Sequence, residues 1–189
     1  MRYQLAAGAT RLTATLCLMM ACATGASAQI NNCWMPVSPG PPAVNDAHIF
    51  CGEIRQNAAG VFRAVGFHSR PNGINPLTAA GPGVPIITND NNVNLHPPGA
   101  PAGIYKIIQF DISQAGVTRT KAQSTMFPDA CGMAAVLAAI RNAAGAAPLG
   151  ANAQFHGMSG PGCLAGGAQF NIVGFTDANG VIDSAYPNY

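Results

Sequence analysis

The sequence predicts an α+β domain of antiparallel sheets with few helices, tied by disulfides. Three observations carry that expectation. Strand-like segments outnumber the one clear helix and do not alternate with helices, which argues against a βαβ order. Gly (22) and Pro (15) together supply 37 of 189 residues, a composition of loops and turns. A single stretch carries an apolar stripe at helical spacing, with Met133, Val136, Leu137 and Ile140 at i, i+3, i+4 and i+7.

Taken in order, residues 1–28 read as a secretory leader. Arg2 and Arg11 precede an apolar stretch over 12–23, and Ala26-Ser27-Ala28 before Gln29 is a small-x-small cleavage pattern. That stretch is shorter than the roughly 20 residues a membrane helix needs. Cys22, after Leu18-Met19-Met20-Ala21, offers a lipoprotein alternative, but the leucine stands one place too early for a lipid-attachment box. The expectation is a secreted or periplasmic protein with no membrane association after cleavage.

Residues 29–45 carry Pro36, Pro39, Pro41 and Pro42 and read as an irregular lead-in, leaving 46–189 as the folded domain. A hairpin is expected over 48–68, with arms at 48–54 and 61–68 around Asn57-Ala-Ala-Gly60. Residues 71–102, with seven prolines, read as a long loop. Residues 103–112 form a strand candidate rich in Ile, Tyr and Phe, followed by a turn at 114–116. The helix is expected over 128–142, with Pro128 and Asp129 as start signals and Gly145 just beyond its end. Two last strands, 169–176 and 181–186, flank Asp177-Ala-Asn179-Gly180. There is no internal repeat.

Composition limits function. Of nine Lys/Arg, Arg2 and Arg11 leave with the leader, so seven remain against seven Asp/Glu and residues 29–189 are formally neutral. No basic run advertises nucleic-acid binding, so such binding must be local. Cys17 and Cys22 also leave, and Cys33, Cys51, Cys131 and Cys163 remain. An even count in an oxidising compartment predicts two disulfides. A four-thiolate zinc site is the alternative, though no C-x2-C pair is present. Among three pairings, Cys33–Cys51 with Cys131–Cys163 is preferred because it links near neighbours.

Few residues can carry acid–base chemistry. There are four histidines (His48, His68, His96, His156) and two lysines (Lys106, Lys121). No nucleophile elbow, phosphate-cradling glycine loop or His-x3-His cluster occurs, and no metal site is expected. Taken singly, each histidine is more simply a structural residue and each lysine a solvated charge.

The pattern around them is more specific. His48-Ile-Phe-Cys-Gly-Glu-Ile-Arg followed by Val65-Gly66-Phe67-His68 resembles the paired-histidine segments of the EndoU-type endoribonucleases. Lys121-Ala-Gln-Ser-Thr125-Met-Phe-Pro-Asp is similar to that family's lysine segment, with a hydroxyl residue four places on. Ile182-Asp-Ser184-Ala-Tyr186-Pro187 is similar to its Thr-x-Tyr-Pro terminus, with Ser in place of the common Thr. These motifs fall in the family's order across residues 48–187.

The resemblance implies RNA cleavage by the substrate's own 2′-hydroxyl, giving a 2′,3′-cyclic phosphate at uridines. Such chemistry needs a base, an acid and positive charge beside the phosphorane, and histidine serves either proton role near neutral pH. By resemblance His68 is the base, His48 the acid and Lys121 the charge stabiliser. Gly66 would offer a backbone N–H to the phosphate, Tyr186 would stack on ribose or base, and Thr125 and Ser184 would meet the uracil edge. Ser184 and Tyr186 lie two apart on a strand, so they share a face. The resemblance implies no required cofactor while allowing stimulation by Mn2+. A toxin role, and with it an immunity protein, is a further expectation. The alternative is a catalytically inactive secreted module that binds RNA or protein on the same scaffold. Lys106 is the rival cation, expected to share a strand face with Ile104, Ile108 and Phe110, its stem lying along apolar surface. His96 and His156 are expected to be bystanders.

Overall fold

The computed structural model describes residues 37–75 and 84–189. The leader and residues 29–36 of the lead-in, Cys33 among them, lie outside the described residues. Among the described residues the architecture is α+β: nine strands in three antiparallel groups, with one α-helix. No helix among the described residues is long and apolar enough to cross a membrane.

A single π-helical turn, Ala47–Cys51, opens the folded part. It leads into the hairpin of β1 (Glu53–Gln56) and β2 (Phe62–Val65). β3 (Ile86–Thr88) and β4 (Val93–Asn94) pair with opposite ends of β5 (Tyr105–Gln114), which pairs along its length with β6 (Val117–Met126). Helix α1 (Met133–Ala144) follows, and then the sheet β7 (Gln154–Met158), β8 (Asn171–Thr176) and β9 (Ile182–Pro187). One core gathers α1, the inner faces of β8 and β9 and the π-turn residues Ile49 and Phe50. A second lies beneath the long ribbon, with Phe67, Tyr105, Ile107, Phe110, Ile112 and Met126.

Several expectations need correction. The hairpin is shorter than expected: its first arm begins at Glu53, and in the segment before it four consecutive residues, His48 to Cys51, are buried, which a turn of helix permits and a two-faced strand does not. The Asn57–Gly60 turn stands where it was expected, with Gly60 N–H bonded to Asn57 C=O at 2.9 Å. The long loop contains β3 and β4, which borrow their hydrogen bonds from β5. The helix starts at Met133 rather than Pro128. Pro128 to Cys131 instead forms a turn (Cys131 N–H to Pro128 C=O, 2.9 Å), and the Tyr105 hydroxyl bonds the Asp129 carboxylate, which therefore does not cap the helix. The stripe is as expected, with Val136, Leu137 and Ile140 buried and Met133 packed against the same core. β6 and β7 were not anticipated.

Cys131 is bonded to Cys163, stapling the turn before α1 to the loop before β8. Cys51 is disulfide-bonded as well, and all three of these cysteines are buried.

Two backbone irregularities place the site. Gly66 and Phe67 both have positive φ (73° and 61°). A Cβ at Gly66 would lie 2.3 Å from the His48 carbonyl oxygen, so only glycine lets β2 pass this close to the π-turn. Phe67 N–H and His68 N–H then bond the carbonyls of His48 (2.8 Å) and Ile49 (2.7 Å), locking the two histidine segments together. In the long ribbon, the pairing skips Gln109 and Ala122, and Gln109 has a φ of 52°. Burial on β5 switches there from odd positions (Tyr105, Ile107) to even ones (Phe110, Ile112). This turn of the ribbon lets Lys121 and Ser124, three apart on β6, approach one another, which a regular strand forbids.

Candidate active site

The π-turn, the end of β2, β6 and β9 converge on a cavity of about 430 Å³. All seven residues singled out from the sequence line it: His48, Gly66, His68, Lys121, Thr125, Ser184 and Tyr186. His96 and His156 are exposed elsewhere; His156 lies on β7 beside Gln154.

The two imidazoles stand with ring centroids 5.9 Å apart and differ in their surroundings. His48 Nδ1 lies 2.6 Å from the Glu53 carboxylate. A carboxylate only accepts, so Nδ1 carries the proton and Nε2 is the atom left to exchange one. Glu53 is itself held 2.6 Å from Arg55, whose guanidinium also grips Asp183 on β9 in a bidentate pair. Burial pushes the Glu53 carboxyl upward, but its bonds to His48 and Arg55 outweigh that and hold it below its ordinary value. Asp183, bonded to Arg55 and to Asn45 (2.9 Å), is brought against burial down to about 2. Both carboxylates are thus ionised at neutral pH.

His68 is buried against the other wall. Its Nδ1 lies 3.2 Å from the Thr125 carbonyl and 3.0 Å from the Ser124 hydroxyl. Ser124 donates its proton to the Phe67 carbonyl (2.6 Å), so both oxygens facing Nδ1 are acceptors. His68 is therefore the Nδ1–H tautomer, with the Nε2 lone pair free to take a proton. Burial, then the charges of Lys121 and His48, push its pKa well below the ordinary histidine value, against a smaller upward pull from the Thr125 carbonyl. The Tyr186 ring stacks on His68 with centroids 5.1 Å apart.

Lys121 sits in mid-β6, twelve residues before α1, so the ribbon and not the helix holds it. Its ammonium donates to the Gly66 carbonyl and to Ser124 Oγ (3.1 Å), and lies 6.0 Å from the centre of the Phe110 ring. Burial lowers its pKa to about 7. Lys106, the rival cation, does not line the cavity, and it does not share a face with Phe110, because the ribbon switches faces at Gln109. Its ammonium lies 5.4 Å over the Tyr189 ring.

Ser124, Glu53, Arg55 and Asp183 were not singled out from the sequence. Glu53 stands five residues after His48 inside the quoted segment, and a carboxylate so near a histidine was a usable signal. Ser124 had none, since strand alternation would turn it away from Lys121.

His48, Glu53 and Asp183 place ligand-type atoms within 4.8 Å of one another. Both carboxylates are already ion-paired with the Arg55 guanidinium, whose positive charge beside the trio disfavours a divalent cation there.

Two imidazoles in opposite environments beside a buried ammonium make an acid–base site of the kind that nucleases use on phosphodiesters. The bacterial EndoU nuclease family model matches residues 43–189, which contain every residue of this cavity, and the chain belongs to that family. No curated protein and no solved structure matches it.

Proposed function

We propose that the protein is a secreted, metal-independent endoribonuclease that cleaves single-stranded RNA at uridines by 2′-hydroxyl transesterification. The observation that carries this is the opposite tuning of the two histidines. His68, with Nδ1 tied to two acceptors and its pKa pressed down, is unprotonated at neutral pH and suits the base that takes the 2′-hydroxyl proton. His48, tied to an ionised carboxylate, suits the acid that returns a proton to the leaving 5′-oxygen. Lys121 supplies charge to the phosphorane oxygens. Atoms balance: the 2′-oxygen–phosphorus bond forms, the phosphorus–5′-oxygen bond breaks, and one proton enters at His68 while another leaves from His48.

Thr125 and Ser184, hydroxyl residues lining the same cavity, suit the polar edge of uracil, and Tyr186 offers a face for ribose or base. A toxin role with a cognate immunity protein is part of this proposal and rests on the family's toxin members. The test is incubation of the oxidised protein with RNA in EDTA. Cleavage after uridines supports the proposal; intact RNA from pH 5 to 8, with retained RNA binding, favours the inactive binding module.

A further inference from the structure

We propose that Lys106 and Tyr189 form a second nucleotide subsite, taking the phosphate and base of a nucleotide outside the pair joined by the scissile phosphate. This rests on the ribonuclease proposal above. On the surface of the long sheet, Asn94, Lys106 and Thr125 are successive cross-strand partners of β4, β5 and β6. Directly opposed residues have Cβ atoms about 4.5–5.5 Å apart on one face. The Lys106 stem therefore starts one strand away from Thr125, which lines the cavity. Tyr189 follows β9, whose Ser184 and Tyr186 line the same cavity; the residue is 39% exposed, with the Lys106 ammonium over its ring.

The charge distribution makes this pair distinctive. With residues 29–189 formally neutral, attraction for RNA has to come from individual cations. Arg55 and Arg70 are in ion pairs, and Arg119 and Arg141 donate to backbone carbonyls. Lys121 is committed to the cavity. Lys106 has no acidic partner among the described residues and stands next to the site, whereas Arg63 lies opposite Arg55 on the β1–β2 hairpin. An ammonium beside an exposed aromatic ring matches the two repeating features of single-stranded RNA, a phosphate and a base face.

Binding separates this subsite from the chemistry. Anisotropy is measured for a dinucleotide and a hexanucleotide, each with 2′-deoxyuridine at the cleavage position so that neither is cut. Lys106→Ala and Tyr189→Ala should bind the dinucleotide like wild type and the hexanucleotide about 5–50-fold more weakly. Lys106→Ala should also flatten the salt dependence by about 0.7 in the log–log slope between about 50 and 200 mM, and Lys106→Arg should restore it. Thermal melts confirm that each variant is folded. Wild-type hexanucleotide affinity in both alanine variants overturns the subsite. So does an equal loss for both ligands, or a wild-type protein that gains nothing from the longer one. A protein that binds in this Lys106-dependent way but cuts no uridine-containing RNA retains the subsite and loses the ribonuclease proposal.

Discussion

Raising the pH through 7 should discharge Lys121 while leaving the rest of the site in its working state. Burial brings this ammonium to about 7, whereas His68 has already lost its proton at much lower pH. The charged fraction of Lys121 then falls about tenfold between pH 6 and pH 8. If the ammonium stabilises the phosphorane, kcat/KM follows that fraction, because this parameter reports ionisations of the free enzyme. Loss of that one charge should therefore bend log kcat/KM downward from about pH 7, with a slope of minus one from this group. Arginine stays charged throughout this range. Lys121→Arg should therefore lower the rate, through altered geometry, yet lose the downward bend near pH 7. The assay is initial-rate cleavage of a short fluorogenic uridine substrate from pH 5 to 9 at constant ionic strength. An unchanged bend in Lys121→Arg, or an alkaline limb that begins only above pH 9, would refute the assignment of charge to Lys121.

Further expectations follow from the same geometry. His48→Ala and His68→Ala should each cost about 10²–10⁴-fold in kcat with an unaltered melting temperature, while His96→Ala, on an exposed loop, should be silent in the same assay. Ser124→Ala removes the oxygen shared by Lys121 and His68; we expect a loss of about 10-fold in kcat with little change in KM, partly rescued by Ser124→Thr. Lys121→Met should abolish cleavage yet raise the melting temperature. The folded pKa of Lys121 lies below its unfolded value, so the unfolded chain binds the extra proton, and the gain should be largest near pH 6 and shrink as pH rises from about 7 toward 10. Breaking Cys131–Cys163 by Cys131→Ser should cost about 2–5 kcal/mol in chemical denaturation.

What the sequence made legible was local or carried by motif. The α1 stripe, the Asn57–Gly60 turn and the last hairpin depend on neighbouring residues, and they fall close to their expected positions. Ser184 and Tyr186 share the cavity face because simple alternation holds along β9. The failures came where long-range contacts decide. The His48 segment is helical because Phe67 and His68 bond back onto it, and nothing within 48–54 encodes that partner. Helix α1 starts late because the Asp129 carboxylate is bonded by Tyr105, a residue 24 positions away. Lys121 and Ser124 meet only through the positive φ of Gln109 on the opposite strand, a residue with no turn signature. The Arg55–Asp183 clamp spans 128 positions and binds the π-turn wall of the cavity to β9.

The most direct test of the account is a single-atom change in the substrate. A short RNA containing one uridine is compared with the same strand carrying 2′-deoxyuridine at that position, both in EDTA, with products resolved by mass. The ribose strand should be cut after the uridine, giving a 2′,3′-cyclic phosphate on one fragment and a 5′-hydroxyl on the other. The deoxy strand should stay whole, and His68→Ala should cut neither. Cleavage of the deoxy strand, or products bearing a 5′-phosphate, would contradict the mechanism, because the nucleophile would then not be the hydroxyl whose proton His68 is positioned to take.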